Sequence, residues 1–461
     1  MIRALFYVAI IILAGILLLV GCRLKKSARG PKKASFSTEV VHPEWSKHST
    51  LYEINVRQFT TEGTIKAISG QLPRLKELGV DVLWLMPINP IGIKNRKGEL
   101  GSYYSVRDYT AVNPEFGTLD DFKAFLNEAH SMGFRVLLDW VPNHTAWDHP
   151  WAQEHPDWYV RDSLGNFTPP IGTDWTDVIQ LDWSNTQMQD TMLVALEYWV
   201  KLGVDGYRVD HPHKTPEEFW ARVRPELEKI RPVLMLAENE EQTYFLERGF
   251  DMNYSWVLHH LMNDIAQGKK NVSQLRRYFR QEDSIYPQEV YRLRFLTNHD
   301  ENAWQGTIDE RMGAAHEVMA VFMFTMSGVP LIYNGQEACL DKRLEFFTRD
   351  PIEWKVCDKT KLYQSLVRLK KDNPALWNGT SGGRMEEIRT SRPRKVYAFW
   401  REKDGNRVIS ILNLSGRKLK IKPVMEGLEG EYVNALNGRS VVLPLNDSLS
   451  LDAWDYLVLR K

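Results

Sequence analysis

From Leu51 onward, short apolar runs alternate with segments whose apolar residues recur every three or four positions. The first pattern is that of strands buried on both faces, and the second that of helices with one buried side. Strands are predicted at Leu51–Arg57, Val80–Leu85, Phe134–Trp140, Val204–Val209, Val233–Ala237, Phe250–Tyr254, Arg292–Thr297 and Val329–Tyr333. Helices are predicted between them at Ile65–Leu78 (interrupted by Pro73), Leu119–Met132, Met188–Leu202, Glu217–Ile230 and Glu310–Met326, with Leu362–Lys371 closing the series. Strand-then-helix repetition implies parallel strands joined by crossover helices, and eight such units suit a closed (β/α)8 TIM barrel.

The rhythm breaks over about 145–185, where Trp147, Trp151, Trp158 and Trp175 fall among Pro, Asp and Gly. An insertion after the third strand would lie on the rim of such a barrel, where active sites are built. From Asn378 the pattern turns to short alternating strands, Lys395–Arg401, Arg407–Leu414, Gly430–Leu436 and Leu449–Leu459, with Gly- and Asn-rich turns. This reads as a C-terminal all-β sandwich. The expected organisation is therefore 43–377 for the barrel and 378–461 for the β domain.

The N-terminus belongs to neither. Arg3 precedes an unbroken apolar run, Ala4 to Val20, which ends Leu19-Val20-Gly21-Cys22. A basic start, an apolar core and small residues before a break describe an export signal over 1–21. The ending resembles a bacterial lipobox, which would make Cys22 the lipidated first residue of a mature protein tethered to a membrane. An uncleaved anchor is the alternative; seventeen apolar residues are barely long enough to span a bilayer. Residues 22–42 are basic and aperiodic, a tether, and everything beyond would fold outside the cytoplasm. The remaining cysteines, Cys339 and Cys357, are expected to be buried free thiols, since nothing in their spacing demands a pair.

Composition changes little. Lys plus Arg and Asp plus Glu each number 59, so charge points to no nucleic-acid partner. Aromatic residues make up 11% of the chain, with 16 Trp, which suits sugar handling as well as an ordinary core.

The chemistry lies in acids that close apolar runs: Asp139, Asp210, Glu238 and Asp300. Acids at the tips of successive barrel strands converge on one pocket, and paired carboxylates there are the equipment for breaking a glycosidic bond. Arg208 lies two positions before Asp210 and so points the same way, where it would keep that acid ionised as a nucleophile requires. A structural Arg–Asp pair would look the same. Glu238 follows an apolar run, and burial beside other acids suits a proton donor, but Glu240 and Glu241 also allow a plain acidic loop. Asp300 follows Asn298-His299, which could bind neighbouring sugar hydroxyls or form an ordinary turn.

Order decides among these readings. Asp139-Trp-Val-Pro-Asn143-His144, Gly206-Tyr-Arg208-Val-Asp210, Glu238 and Asn298-His299-Asp300 are similar, in sequence, to the four motifs of glycoside hydrolase family 13, the α-amylase family. Tyr104 before Asp108-Tyr109 and Tyr333-Asn-Gly-Gln-Glu337 extend the resemblance from Leu51 to the chain's end. It implies Asp210 as nucleophile, Glu238 as acid then base, and Asp300 as stabiliser of the transition state. It also implies Arg208, His144, His299 and the stacking Tyr104 as sugar-binding residues, with Asp139 as support. The implied substrate is an α-1,4-glucan or maltooligosaccharide; the chemistry needs no cofactor. Many members bind structural Ca2+ through a residue aligned with Asn143. Here, however, His213-Lys214 reverses the usual Lys-His pair near that site, and Ala237 replaces a common Gly before the acid. Exo-acting α-glucosidases carry an acid three residues before the stacking Tyr, where this chain has Gly101, which favours an open cleft. Transglycosylation by the same residues, or α-glucosidase action, is the alternative. Non-catalytic relatives in transporter subunits lose the carboxylates that this chain keeps.

Overall fold

The computed structural model describes residues 36–444 and 448–461. The predicted signal run and Cys22 lie outside the described residues. Eight parallel strands close a barrel in the order β1-β10-β9-β8-β7-β6-β3-β2. They are β1 (Leu51–Ile54), β2 (Val82–Leu85), β3 (Arg135–Trp140), β6 (Gly206–Val209), β7 (Leu234–Ala237), β8 (Met252–Asn253), β9 (Tyr291–Phe295) and β10 (Val329–Tyr333). Between β3 and β6, β4 (His144–Ala146) pairs antiparallel with β5 (Val178–Gln180) at the base of the insertion.

Alternate residues of the strands serve two cores. Leu51, Trp84, Leu137, Leu236 and Leu293 fill the barrel's interior, while Tyr52, Leu83, Leu85, Val136 and Leu138 pack outward against the helices. Both faces are dry, which is why the strands read as continuous apolar runs. Gly206 lets β6 approach β7: a Cβ there would stand 2.0 Å from the Leu234 carbonyl oxygen, and its φ is +144°.

Two predicted helices are each split. Ile65–Leu78 becomes Ile65–Ser69 and Leu72–Leu78, with Pro73 in the first turn of the second, where a missing N–H costs no helical bond. Glu310–Met326 becomes Ile308–Met312 and His316–Thr325, separated by a tight turn at Gly313, whose φ is +52°. The predicted strand Leu51–Arg57 ends at Ile54, and Val56–Phe59 turns helical.

The C-terminal domain consists of β11 (Glu386–Glu387), β12 (Val396–Lys403), β13 (Asn406–Asn413), β14 (Leu419–Ile421), β15 (Gly430–Asn434), β16 (Ser440–Leu443), β17 (Leu449–Leu451) and β18 (Tyr456–Arg460). Six form one sheet, ordered β11-β12-β13-β18-β15-β16, and β14 pairs with β17 beside it. The single strand predicted over Leu449–Leu459 is two, broken at Trp454, whose φ is +59°. Buried Arg401 ties this domain to the barrel by donating to the carbonyls of Met326 (2.7 Å) and Trp377 (2.8 Å).

Two departures concern the ends of loops. Cys339 and Cys357 are joined in a disulfide, 18 residues apart, correcting the expectation of free thiols. The loop after β10 folds back and brings them together, which spacing alone cannot reveal. Residues 36–42, read as the end of an aperiodic tether, lie on the barrel. His42 Nδ1 is 2.7 Å from Asp251 Oδ1 and its Nε2 2.8 Å from the Glu289 carbonyl. Asp251 and Glu289 precede β8 and β9, so this segment sits at the strands' N-terminal ends.

Candidate active site

The opposite, C-terminal end carries the acids. Arg208, fully buried on β6, serves three of them. Its Nη1 donates to Asp139 Oδ1 (2.9 Å) and Asp210 Oδ1 (3.2 Å), and its Nη2 forms an ion pair with Glu238 Oε1 at 2.6 Å. One guanidinium thus gathers carboxylates from β3, β6 and β7. An oxygen of Asp210 and one of Glu238 lie within 4.8 Å of each other. Asp139 is supported on its other oxygen by Trp84 Nε1 (3.2 Å) and the Tyr104 hydroxyl (3.1 Å). Burial raises Asp139 to about 7, against the pull of Arg208 and with the push of Asp210.

His211 follows Asp210 directly with φ +39°, a left-handed backbone rare for a residue with a side chain. That turn aims its N–H at Glu238 Oε2 (3.3 Å), with its ring nitrogen at 3.6 Å. Trp175, from the insertion, stacks on the His211 ring at 5.5 Å. Burial opposes protonation of His211, but the charges of Glu238 and Asp210 raise its pKa.

On the other side, the His299 ring lies between Glu53 of β1 and Tyr104. Nδ1 donates to Glu53 Oε1 (2.6 Å), and Nε2 stands 2.8 Å from the Tyr104 hydroxyl. The two rings stack at 5.4 Å. A cationic His299 can donate from both nitrogens, to Glu53 and to the Tyr104 hydroxyl, which can in turn donate to Asp139. Its pKa accordingly rises to about 9; burial works against this, and the charges of Asp300 and Glu53 outweigh it. Asp300 lies 3.5 Å from His299 Nε2, with its side chain 43% exposed to the cleft. His144 is different: burial lowers it to about 3, and it donates from Nε2 to the Tyr104 carbonyl (3.2 Å).

Tyr104, His144, Asp210, His299 and Asp300 line one cleft of about 450 Å³, together with Trp175, His211, Trp304 and Phe346. Arg208, Asp139 and Glu238 stand behind that lining. All the predicted site residues beyond the tether are therefore joined in one network, Asn143 through His144. Sequence reasoning passed over Glu53, whose signal is a lone acid inside an apolar strand, and gave no site role to His211 or to the loop aromatics.

Asn143 Oδ1 is buried and lacks a hydrogen-bond partner, as a cation ligand's oxygen would. Its Nδ2 supports His144 Nδ1 at 3.3 Å. Calcium takes about six to eight oxygens. Asn143 Oδ1 would supply one of them, and no step below uses the ion.

With this geometry in view, the likeness to known proteins is extensive. Residues 41–383 match the family model "Alpha amylase, catalytic domain". The chain is 28% identical over 445 residues to alpha-amylase MalA of Haloarcula japonica and 26% over 381 residues to alpha-amylase 2 of Dictyoglomus thermophilum, covering 91% and 73% of this chain. It spans 64% and 66% of the lengths of those relatives. It is also 28% identical, over 73% of its length and 53% of the relative's, to an alpha-1,4-glucan:maltose-1-phosphate maltosyltransferase of Rhodospirillum rubrum. Among solved structures, an alpha-amylase from Lactobacillus plantarum superposes with a TM-score of 0.82 at 30% identity, over 90% of this chain and 99% of the other. The family-model match, joined to four acids at the tips of barrel strands, establishes that the chain belongs to the α-amylase family, glycoside hydrolase family 13.

Proposed function

We propose that this protein hydrolyses α-1,4-glucosidic bonds within starch-like glucans or maltooligosaccharides, with retention of anomeric configuration. The observation that carries the reading is the approach of Asp210 and Glu238 to within 4.8 Å. Retaining glycosidases hold their two carboxyls about 5–5.5 Å apart; inverting enzymes separate them by about 6.5–9.5 Å to admit a water.

Asp210, charge-compensated by Arg208, attacks the anomeric carbon while Glu238 protonates the departing oxygen. The resulting glucosyl ester is hydrolysed by a water that Glu238 then deprotonates. Asp300 and the doubly protonated His299 bind the hydroxyls of the cleaved sugar, over the ring of Tyr104. Asp139 holds Arg208 and Tyr104 in place.

Internal cleavage is supported at Gly101. Its φ is +74°, and a Cβ there would stand 2.7 Å from Ile91. No acidic side chain fits where exo-acting relatives grip a terminal sugar. Transfer to a sugar acceptor is the second reading, favoured by the similarity to maltosyltransferases; water and sugar compete for one ester.

We further propose that Cys22 is lipidated and the enzyme works outside the cytoplasm. The Cys339–Cys357 bond supports this, since disulfides persist in oxidising compartments. With residues 36–42 at the N-terminal end of the barrel, the cleft would open away from the membrane.

Chromatography of products from starch, pullulan and short maltooligosaccharides tests the activity. Internal cleavage giving mixed maltooligosaccharides, α-anomer first by proton NMR, is the expected result. Products longer than the substrate would favour transfer, and β-anomer first would refute retention.

A further inference from the structure

Behind the turn that carries Asp300 lies a cluster the proposed chemistry does not use. His259, His260 and Glu301 offer ligand atoms that all stand within 4.8 Å of one another. The two histidines lie on the helix Trp256–Ala266, and Glu301 opens the turn Glu301–Gln305. His259 and Glu301 are buried, whereas His260 is exposed, which leaves a way in from solvent.

The hydrogens around His259 can be counted. Arg311 Nη1 donates to Asn263 Oδ1 (2.9 Å), which fixes that amide with its Nδ2 3.1 Å from His259 Nε2. An amide nitrogen only donates, so Nε2 accepts, and the hydrogen of a neutral ring sits on Nδ1, 3.3 Å from the Phe295 carbonyl. Nε2 nevertheless stands 2.9 Å from Glu301 Oε2. Two acceptors thus face each other in a buried place with no hydrogen between them, a costly arrangement that a cation relieves. A second ring hydrogen would bond Glu301 but point at the Asn263 amide N–H as well. Arg311 does not supply the charge at close range: its Nη1 is 3.6 Å from Glu301 Oε2, and its Nε and Nη2 donate to the Gly306 and Leu296 carbonyls.

Two imidazoles and one carboxylate suit a borderline-soft divalent ion such as Zn2+ better than Ca2+. With bonds of about 2.0–2.2 Å, two ligands of one zinc lie about 3 Å apart or slightly more, close to the spacing of Nε2 and Oε2. His260 reaches the same point by rotation of an exposed side chain, and water takes the fourth position.

We propose that His259, His260 and Glu301 bind a divalent transition-metal ion such as Zn2+, which pins the helix after β8 to the turn behind Asp300. The Glu301 N–H donates to Asn298 Oδ1 (2.8 Å), so the ion braces the backbone on both sides of that acid. Its role is structural and does not depend on the proposed reaction.

Isothermal titration of the purified, chelator-treated protein with ZnCl2 tests the site. H260A, a change at an exposed position, should weaken zinc binding by at least about tenfold. Added Zn2+ should raise the thermal midpoint of the unaltered protein and not that of H260A. Co2+ should give the visible absorption of a histidine-ligated site in the unaltered protein only. Asp210, His211 and Glu238 form a second such cluster, so H211A serves as the control and should keep the binding that H260A loses. No zinc binding, or binding that H260A leaves unchanged, would overturn the site while leaving the hydrolase standing.

Discussion

Glu53 and His299 stand 246 positions apart in the chain and 2.6 Å apart in the barrel, Oε1 against Nδ1. Both are buried. Burial raises the Glu53 pKa, and the neighbouring imidazolium pulls it back. The pair holds the hydrogen on Nδ1 and favours the cationic ring, which keeps a second hydrogen at Nε2, where Tyr104 and Asp300 lie.

A pH dependence follows. His299 titrates near 9 in the folded protein and near its ordinary value of about 6.5 when unfolded. A raised histidine pKa contributes stability that is complete below the unfolded value and lost as pH rises through the folded one. Thermal unfolding temperature should therefore fall between about pH 7 and pH 9.5. Glu53→Gln removes the compensating charge and should move that fall, and the alkaline limb of kcat/KM, toward lower pH. Unchanged limbs in the variant would count against the pairing.

Asp210→Asn and Glu238→Gln each remove one chemical partner. Turnover of starch should drop by about a thousandfold or more in either, with the circular-dichroism spectrum preserved. Near-normal hydrolysis by a purified variant would end the assignment of that residue.

The disulfide closes a loop whose cysteines are 18 positions apart, a size for which the chain-entropy account gives about 3 kcal/mol. Replacing both cysteines by Ser should lower the denaturant midpoint accordingly. Because Phe346 and Phe347 lie in that loop, KM for maltoheptaose should rise more than kcat falls. Equal stability with and without reductant would show that the bond is dispensable.

Cys22→Ser should leave the protein unprocessed and outside the lipid-modified fraction of the cell. Mass spectrometry of the native protein reads this directly: an unmodified Cys22 behind an intact N-terminus would favour the uncleaved anchor. The catalytic proposal is independent of that result.

Much of the barrel was legible because its signals are local. A strand packed on both faces must be apolar throughout, so β2, β3, β6, β7 and β10 could each be read within a few residues. The acids at the tips of β3, β6, β7 and β9 could be read with them. Breaks such as that at Gly313 were less visible, since a left-handed turn inside an apolar stretch leaves the periodicity nearly intact. Trp454 hid a turn in the same way, because an aromatic residue argues for strand rather than against it.

The sequence by itself determined the order of strands and helices, the β domain and the acids at strand ends, for these depend on spacing along a few consecutive residues. Only the tertiary structure decided what faces what. Closing β10 against β1 sets Glu53 within reach of His299. The left-handed turn at His211 aims an N–H at Glu238. The loop after β10 folds back to join Cys339 to Cys357 and to set Phe346 beside Trp304. Each depends on where distant segments meet once the barrel has closed, and periodicity carries no information about that.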